Sequence, residues 1–240
     1  MSTTLCSDSY LLSLPELSAQ YGAFSWQANS SLSLLDDKNA YPQVNPNLET
    51  LAAYRGSKII TGPNPTPIAN SDIHLKWGED FDTVWQNLAE LSHALDIEDP
   101  SPRFKARLNA LQTPDHPPLI LYLNRAGGTA GPNTFVDEVI QAAGGINIIK
   151  RPGWQTPDIE MLINLKPDII VTSFLESNYI GVSDRLTRHA ALSEKLETIP
   201  QIHIPGKYWP CAGPALVEAC LLYTSPSPRD RTRSRMPSSA

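Results

Sequence analysis

The chain has 240 residues, 41% of them hydrophobic and 18% charged, with a formal net charge of −6. That is ample material for a packed core and too little charge for a disordered chain, and no apolar run approaches the ~18 residues of a membrane-spanning helix. Arg229, Arg231, Arg233 and Arg235 against Asp230 make the last segment +3, so the body carries −9, which argues against a nucleic-acid backbone as ligand.

Met1 to Cys6 has neither the basic nor the apolar region of an export signal, and no lipoprotein cleavage pattern. It reads as the end of a first strand, with Asp8 starting a helix over Ser9–Leu17. Tyr21–Trp26 reads as a strand ending in an aromatic, and Gln27–Pro46 as a polar, turn-rich loop. Asn47–Gly62 (NLETLAAYRGSKIITG) predicts a short helix, a tight turn and a buried strand. A proline-stiffened loop, Gly62–Ile68, leads to the strand Ile73–Trp77. Val84, Leu88, Leu91 and Leu95 then recur at helical spacing, and a second helix is expected over Pro102–Leu111. Leu119–Leu123 is a continuous apolar run of the kind buried parallel strands show. After it come the glycine-containing segment Asn124–Asn133, a helix over Thr134–Ala143 stopped by Gly144-Gly145, and the loop Arg151–Trp154.

Asp158–Ser173 (DIEMLINLKPDIIVTS) then repeats Asn47–Gly62 without a gap. Leu48, Glu49 and Leu51 match Ile159, Glu160 and Leu162, and the run Lys58–Thr61 matches Ile169–Thr172. The echo continues: Ile73-His74-Leu75 with Trp77 is answered by Ile202-His203-Ile204 with Trp209. Duplicated helix–strand units imply an α/β fold of two Rossmann-like lobes with mostly parallel sheets, joined by helices, with a ligand crevice between the lobes. The expected extents are 1–80 for the N-terminal lobe, 81–113 for the connecting helices and 114–219 for the C-terminal lobe. Cys220–Ala240 matches the translation of a sequencing-library adapter and is read as a non-native tail, 220–240, outside the fold.

Trp26, Trp77, Trp154 and Trp209 each fall after a predicted strand or in a loop. Indole rings offer large flat area with few rotamers to freeze, which suits a rigid planar or macrocyclic ligand. Trp85 lies in a helical stripe and reads as packing. Gly127, Gly128 and Gly131 lie beyond a strand's carboxyl end, where backbone either approaches a ligand or turns at the surface. The spacing fits no dinucleotide or P-loop motif, so a cytosolic enzyme holding a phosphate there is kept only as an alternative. His74 and His203 hold equivalent places in the two repeats, and a direct zinc or manganese binder using them is a second alternative. No nucleophile motif appears, so no catalytic residue, resident metal or cofactor is expected. Cys6 and Cys211 follow strands of different lobes and could face one crevice. A disulfide between them would lock the lobes, so unpaired thiols are expected.

From about Leu5 to Ala219 the chain resembles the periplasmic substrate-binding proteins of ABC importers for vitamin B12 and ferric siderophores, the helix-spined class. LCSDSYLLSL resembles the family's opening strand and helix. The two repeats resemble its paired helix and Lys-Pro-Asp-strand segments, and FVDEVIQAAGGINII resembles its helix ending in Gly-Gly before Asn-Ile. The resemblance implies two α/β lobes joined by a long helix, and capture without chemistry. It implies that a metal chelate, of cobalamin, iron-siderophore or haem type, is held between the lobes and handed to a membrane permease. The candidate ligand-binding residues are Trp26, Trp77, Asn124, Arg125, Trp154 and Trp209, with the Arg125 fork facing an anionic group of the chelate. A monomer is expected, periplasmic or lipid-anchored at the cell surface, its export signal missing from this chain. The family docks on its transporter through an exposed glutamate on each lobe. The first-lobe loop Gly62–Ser71 contains none, which leaves Asp72 as the substitute.

Overall fold

A computed structural model of the chain describes residues 1–63, 72–173, 194 and 198–224. Helix α1 (Leu5–Leu12) is started by Thr4: its hydroxyl accepts the Ser7 amide while the Ser7 hydroxyl accepts the Thr4 amide. That reciprocal cap satisfies two amides that a helix otherwise leaves orphaned. The helix therefore begins at Leu5 rather than Ser9, and Asp8 lies buried inside it instead of capping it. Pro15 cannot continue the helix, and a 3-10 turn, Pro15–Gln20, comes next.

In the N-terminal lobe, β1 (Phe24–Ser25) pairs in parallel with β2 (Gln43–Val44), a short strand inside the segment expected to be all loop. β3 (Ile60–Thr61) pairs in parallel with β4 (Ile73–His74). Residues 1–3 join the two pairs: the Ser2 amide donates to the Ala23 carbonyl, the Thr3 amide donates to the Ile60 carbonyl, and Ser2 forms a parallel bridge with Ile60. The resulting order is β4, β3, residues 1–3, β1, β2. In the C-terminal lobe, β5 (Leu119–Asn124), β7 (Ile146–Asn147), β9 (Ile169–Ser173) and β10 (Gln201–Ile204) form one parallel sheet in the order β10, β9, β5, β7.

These two orders correspond, and so does the register. Ile60 opposite Ile73 and Thr61 opposite His74 become Val171 opposite Ile202 and Thr172 opposite His203. The correspondence reaches the caps. Helix α2 (Leu48–Ala53) is started by Asn47 and helix α6 (Ile159–Asn164) by Asp158, each side chain accepting an amide of the first turn. The sequence echo is a structural duplication.

Between the lobes run α3 (Phe81–Leu95), capped by Asp80, and α4 (Ser101–Asn109). The break between them is at Asp96, in the left-handed region at φ 54°. Val84, Leu88 and Leu91 of the expected stripe are fully buried, and Trp85 stacks on Phe81 at 5.5 Å as packing. In the C-terminal lobe, α5 (Phe135–Ala142) ends on Gly144 at φ +79°, with the Gly144 amide donating to Gln141 and the Gly145 amide to Ile140. This is a Schellman cap, which needs a left-handed residue at the first glycine. The second glycine has a different cause: a Cβ on Gly145 would lie 2.1 Å from Ile120 Cδ1.

Along β5, Ile120 and Tyr122 join the main core while Leu121 and Leu123 join a smaller cluster with Ile149, Leu162 and Ile170. Both faces of the strand are covered, which is why its sequence is apolar without alternation. The main core is continuous through both lobes: Leu11, Phe24 and Ile60 belong to it together with Leu88, Phe104, Ile120, Val139 and Leu216. The last described helix, α7 (Leu216–Thr224), packs on α4 and α5. Leu216, Cys220 and Tyr223 lie along one helical face and are all buried, so the boundary expected at Cys220 falls inside a packed helix. Residues 225–240 lie outside the described ones.

Candidate functional site

Ligands of open α/β sheets sit beyond the carboxyl ends of the strands, and the sequence-derived candidates gather at those ends. Trp26 directly follows β1, Trp77 follows β4, and Asn124 closes β5 with Arg125 next to it; Trp209 follows β10. Trp154 sits on a strand rather than in a loop: β8 (Trp154–Gln155) pairs antiparallel with β6 (Thr129–Ala130), Ala130 opposite Trp154.

On the N-terminal side, Trp26 begins a 3-10 turn, Trp26–Asn29, whose Ala28 is buried while the indole is 56% exposed. Gln27 Oε1 in that turn accepts the Leu5 amide of α1 at 2.9 Å. The carboxylate of Asp8 accepts both the amide and the hydroxyl of Ser25, the residue before Trp26. Trp77 is 49% exposed and rests on an equally defined base. The buried Asn87 amide group takes the Lys76 amide at 2.8 Å and donates to the Lys76 carbonyl and to Tyr10 Oη. Tyr10 Oη in turn donates to the Ala212 carbonyl, and Gly78 fits so closely against Ala212 that a Cβ would lie 2.9 Å from its oxygen.

That contact belongs to the feature that departs furthest from expectation. Cys6 of α1 and Cys211 form a disulfide across 205 residues, with the Cα atoms 5.1 Å apart. The expectation of unpaired thiols at these positions is wrong. Cys211 and Ala212 are both left-handed, at φ 67° and 45°, so the chain leaving β10 turns back against α1 and brings the two cysteines together. Cys220 takes no part in the disulfide; its buried thiol faces the Val139 carbonyl, and burial pushes it up to about 12.

On the C-terminal side four aromatics form one cluster. Trp209 lies 5.4 Å from Tyr122 and 6.2 Å from Phe135, and Trp154 lies 5.2 Å from Phe135 and 6.4 Å from Tyr122, ring centre to ring centre. Trp154 is the half-exposed member, whereas Trp209 is 1% exposed and its indole nitrogen has no hydrogen-bond partner among the described residues. Trp209 therefore backs the cluster instead of standing at its surface. The 3-10 turn Gly206–Tyr208 returns the chain so that this ring faces inward. Sequence reasoning missed Tyr122 and Phe135, one inside an apolar strand and the other at a helix start. The usable signal was the single hydroxyl in the run LILYL: Tyr122 Oη shares a 2.6 Å hydrogen bond with Ser173 at the end of β9, and burial raises its proton affinity.

The glycine segment is a turn whose three glycine amides are already engaged. Gly127 N donates to the Asn124 carbonyl, Gly128 N to Asn124 Oδ1, and Gly131 N to the Gly153 carbonyl. Asn124 thus holds the turn that carries the half-buried Arg125. The phosphate-binding alternative is left without its three glycine donors. The two repeat histidines do not gather ligands either: His203 Nδ1 pairs with Thr172 Oγ1 at 3.3 Å, and the described residues contain no group of three metal-ligating side chains. Asp72 accepts the Ile59 amide at 2.8 Å and pairs with Lys58, which ties it to the β3–β4 ends. The loop that precedes it, residues 64–71, lies outside the described residues.

The architecture is that of the two-lobed periplasmic solute-binding proteins. No family model matches the chain, and no curated protein matches its sequence. Among solved structures it is similar to a possible iron-binding periplasmic solute-binding protein of Staphylococcus epidermidis, with 14% identity, TM-score 0.67, and coverage of 94% of this chain and 98% of that one. It is similar to the periplasmic haem-binding protein HutB of Vibrio cholerae, with 20% identity, TM-score 0.65, and coverage of 93% and 97%. It is also similar to the haem-binding protein RhuT of a Roseiflexus species in its apo form, with 20% identity, TM-score 0.64, and coverage of 93% and 97%. No described helix is long and apolar enough to cross a membrane.

Proposed function

We propose that this protein is the substrate-binding component of an ABC importer, and that it captures a metal chelate of the haem type and delivers it to a membrane permease. The observation that carries the reading is the placement of three half-exposed tryptophans, Trp26 and Trp77 just past strand carboxyl ends and Trp154 against Tyr122 of β5, in a fold shared with haem-binding solute-binding proteins. Exposed indoles held on rigid bases cost stability in water, and a flat, largely apolar ligand recovers that cost when it covers them. Each indole here has such a base: the 3-10 turn under Trp26, the Asn87 clamp under Trp77, and the buried Tyr122–Phe135–Trp209 cluster under Trp154. Arg125 supplies the cation for a propionate or another carboxylate of the chelate. The disulfide supports a protein that folds in an oxidising compartment, as the periplasm is.

The test is a titration with ferric haem, monitored by tryptophan quenching and by the haem absorption band, with cobalamin and a ferric siderophore as competitors. Trp154→Ala and Trp77→Ala should each weaken haem binding by on the order of tenfold, as truncation of a buried aromatic contact does. Equal, weak quenching by all three chelates, unchanged in both variants, would refute the assignment.

A further inference from the structure

Buried against Ser25, the residue before Trp26, lies a carboxylate that touches no chelate itself. Asp8 is 0% exposed, and its oxygens take the Ser25 amide at 3.0 Å and the Ser25 hydroxyl at 2.5 Å. Ser25 is the cap residue of the turn that begins with Trp26. The same helix holds this turn a second time, through the Leu5 amide on Gln27 Oε1. The duplicated lobe contains a counterpart. There, Asp137 in the first turn of α5 accepts Asn147 Nδ2 at 2.8 Å, at the end of β7, the strand matching β1. Both lobes thus tie the end of a short strand to the first helix through a buried carboxylate. In the N-terminal lobe the tied residue is succeeded directly by an exposed indole.

We propose that Asp8 is a positioning residue for the ligand-facing Trp26, fixing the turn that carries the indole through its two hydrogen bonds to Ser25. The proposal rests on the reading that Trp26 lines the chelate site. Only the ionised carboxylate accepts both Ser25 donors with full strength, because charge-assisted bonds are the strong ones. A protonated carboxyl turns one oxygen into a donor, so the Ser25 hydroxyl must reverse and accept from it, and two charge-assisted bonds are replaced by two weaker neutral ones. Burial raises Asp8 to about 6, against the hydrogen bonds from Ser2 and Ser25 that lower it, so this exchange lies close to neutral pH. The surroundings leave few other titrating groups. The elements packed on α1, namely β1, β3 and the turns at 26–29 and 210–212, carry no ionisable side chain apart from the disulfide-bonded Cys211; residues 1–3, whose Ser2 also bonds Asp8, bring the Met1 amino group, which burial lowers. The turn Pro15–Gln20 carries Glu16, which is paired with Arg103, and Tyr10 on α1 itself is raised by burial.

The experiment labels the full chain with 5-fluorotryptophan and assigns the Trp26 resonance by its loss in Trp26→Phe. In the wild type this line should shift or broaden as pH falls through about 6, while the remaining tryptophan lines stay in place. In Asp8→Asn it should hold the low-pH form at every pH, and in Ser25→Ala, which keeps the amide bond, it should lie between the two. Haem affinity of Asp8→Asn at neutral pH should fall on the order of fivefold, approaching that of Trp26→Ala, as expected when a site loses its supporting contact. A Trp26 line in Asp8→Asn that matches the wild type at high pH, or a wild-type line that does not titrate, overturns the proposal. If Trp26→Ala leaves haem affinity unchanged, the chelate-site reading fails for that residue, and the fluorine line still decides whether Asp8 positions it.

Discussion

Replacing Cys6 and Cys211 by serine removes a crosslink that closes 205 residues of chain. The chain-entropy treatment assigns a loop of that length about 5 kcal/mol at 25 °C, and measured disulfides typically deliver ~2–4 kcal/mol. For a chain of this size each kcal/mol moves the melting temperature by ~2–4 °C, so the double variant should melt about 5–15 °C below the oxidised wild type. The local geometry favours the upper part of that range. Tyr10 Oη on the Ala212 carbonyl and Gly78 against Ala212 meet at the same seam, so loosening it also exposes buried polar groups. Thermal unfolding by circular dichroism, with and without reductant, measures the shift, and thiol titration in denaturant checks the state. One thiol, from Cys220, should titrate before reduction and three afterwards. The double variant should melt with the reduced wild type and ignore reductant. A crosslink confirmed by thiol counting whose reduction leaves the melting curve in place would refute the reasoning.

Other consequences are equally direct. Gly145→Ala sets a Cβ 2.1 Å from Ile120 Cδ1 in the middle of the C-terminal core, so it should cost ~1–3 kcal/mol in urea unfolding, the range for overpacking. Asp8 gives stability a sign with pH. Its folded value of about 6 lies above the ordinary 3.8, so its contribution is full below 3.8 and is lost as pH rises through about 6. The shift of roughly two units corresponds to at most about 3 kcal/mol, and the stability difference between wild type and Asp8→Asn should change by up to that amount across the window. A difference that stays flat from pH 4 to 7 would show that the carboxylate titrates normally. Arg103–Glu16 and Arg107–Glu218 are substantially exposed ion pairs, so high salt should leave the melting temperature almost unchanged.

Binding of a chelate at Trp26, Trp77 and Trp154, as the proposed function has it, draws on elements of two different origins. The bases under Trp26 and Trp77 are made of short polar side chains, Ser25, Asp8 and Asn87, that a sequence pattern does not distinguish from surface residues. The base under Trp154 is made of ordinary core aromatics. Neither kind announces itself before the chain is folded.

The features legible in the amino-acid order were those set by neighbours within a few residues. The repeated Asn47–Gly62 and Asp158–Ser173 segments carry their own helix caps and apolar strands, because each is decided by periodicity and by the residue types that start helices. The stripe Val84, Leu88, Leu91 and the pair Gly144-Gly145 belong to that class as well. Tertiary structure alone decided that Cys6 meets Cys211, that Trp209 turns inward while Trp154 faces out, and that Asp8 holds Ser25 beside Trp26. These pairings join residues far apart in the chain. Which of them form depends on how whole sheets and helices pack into one core, and local spacing carries no record of that.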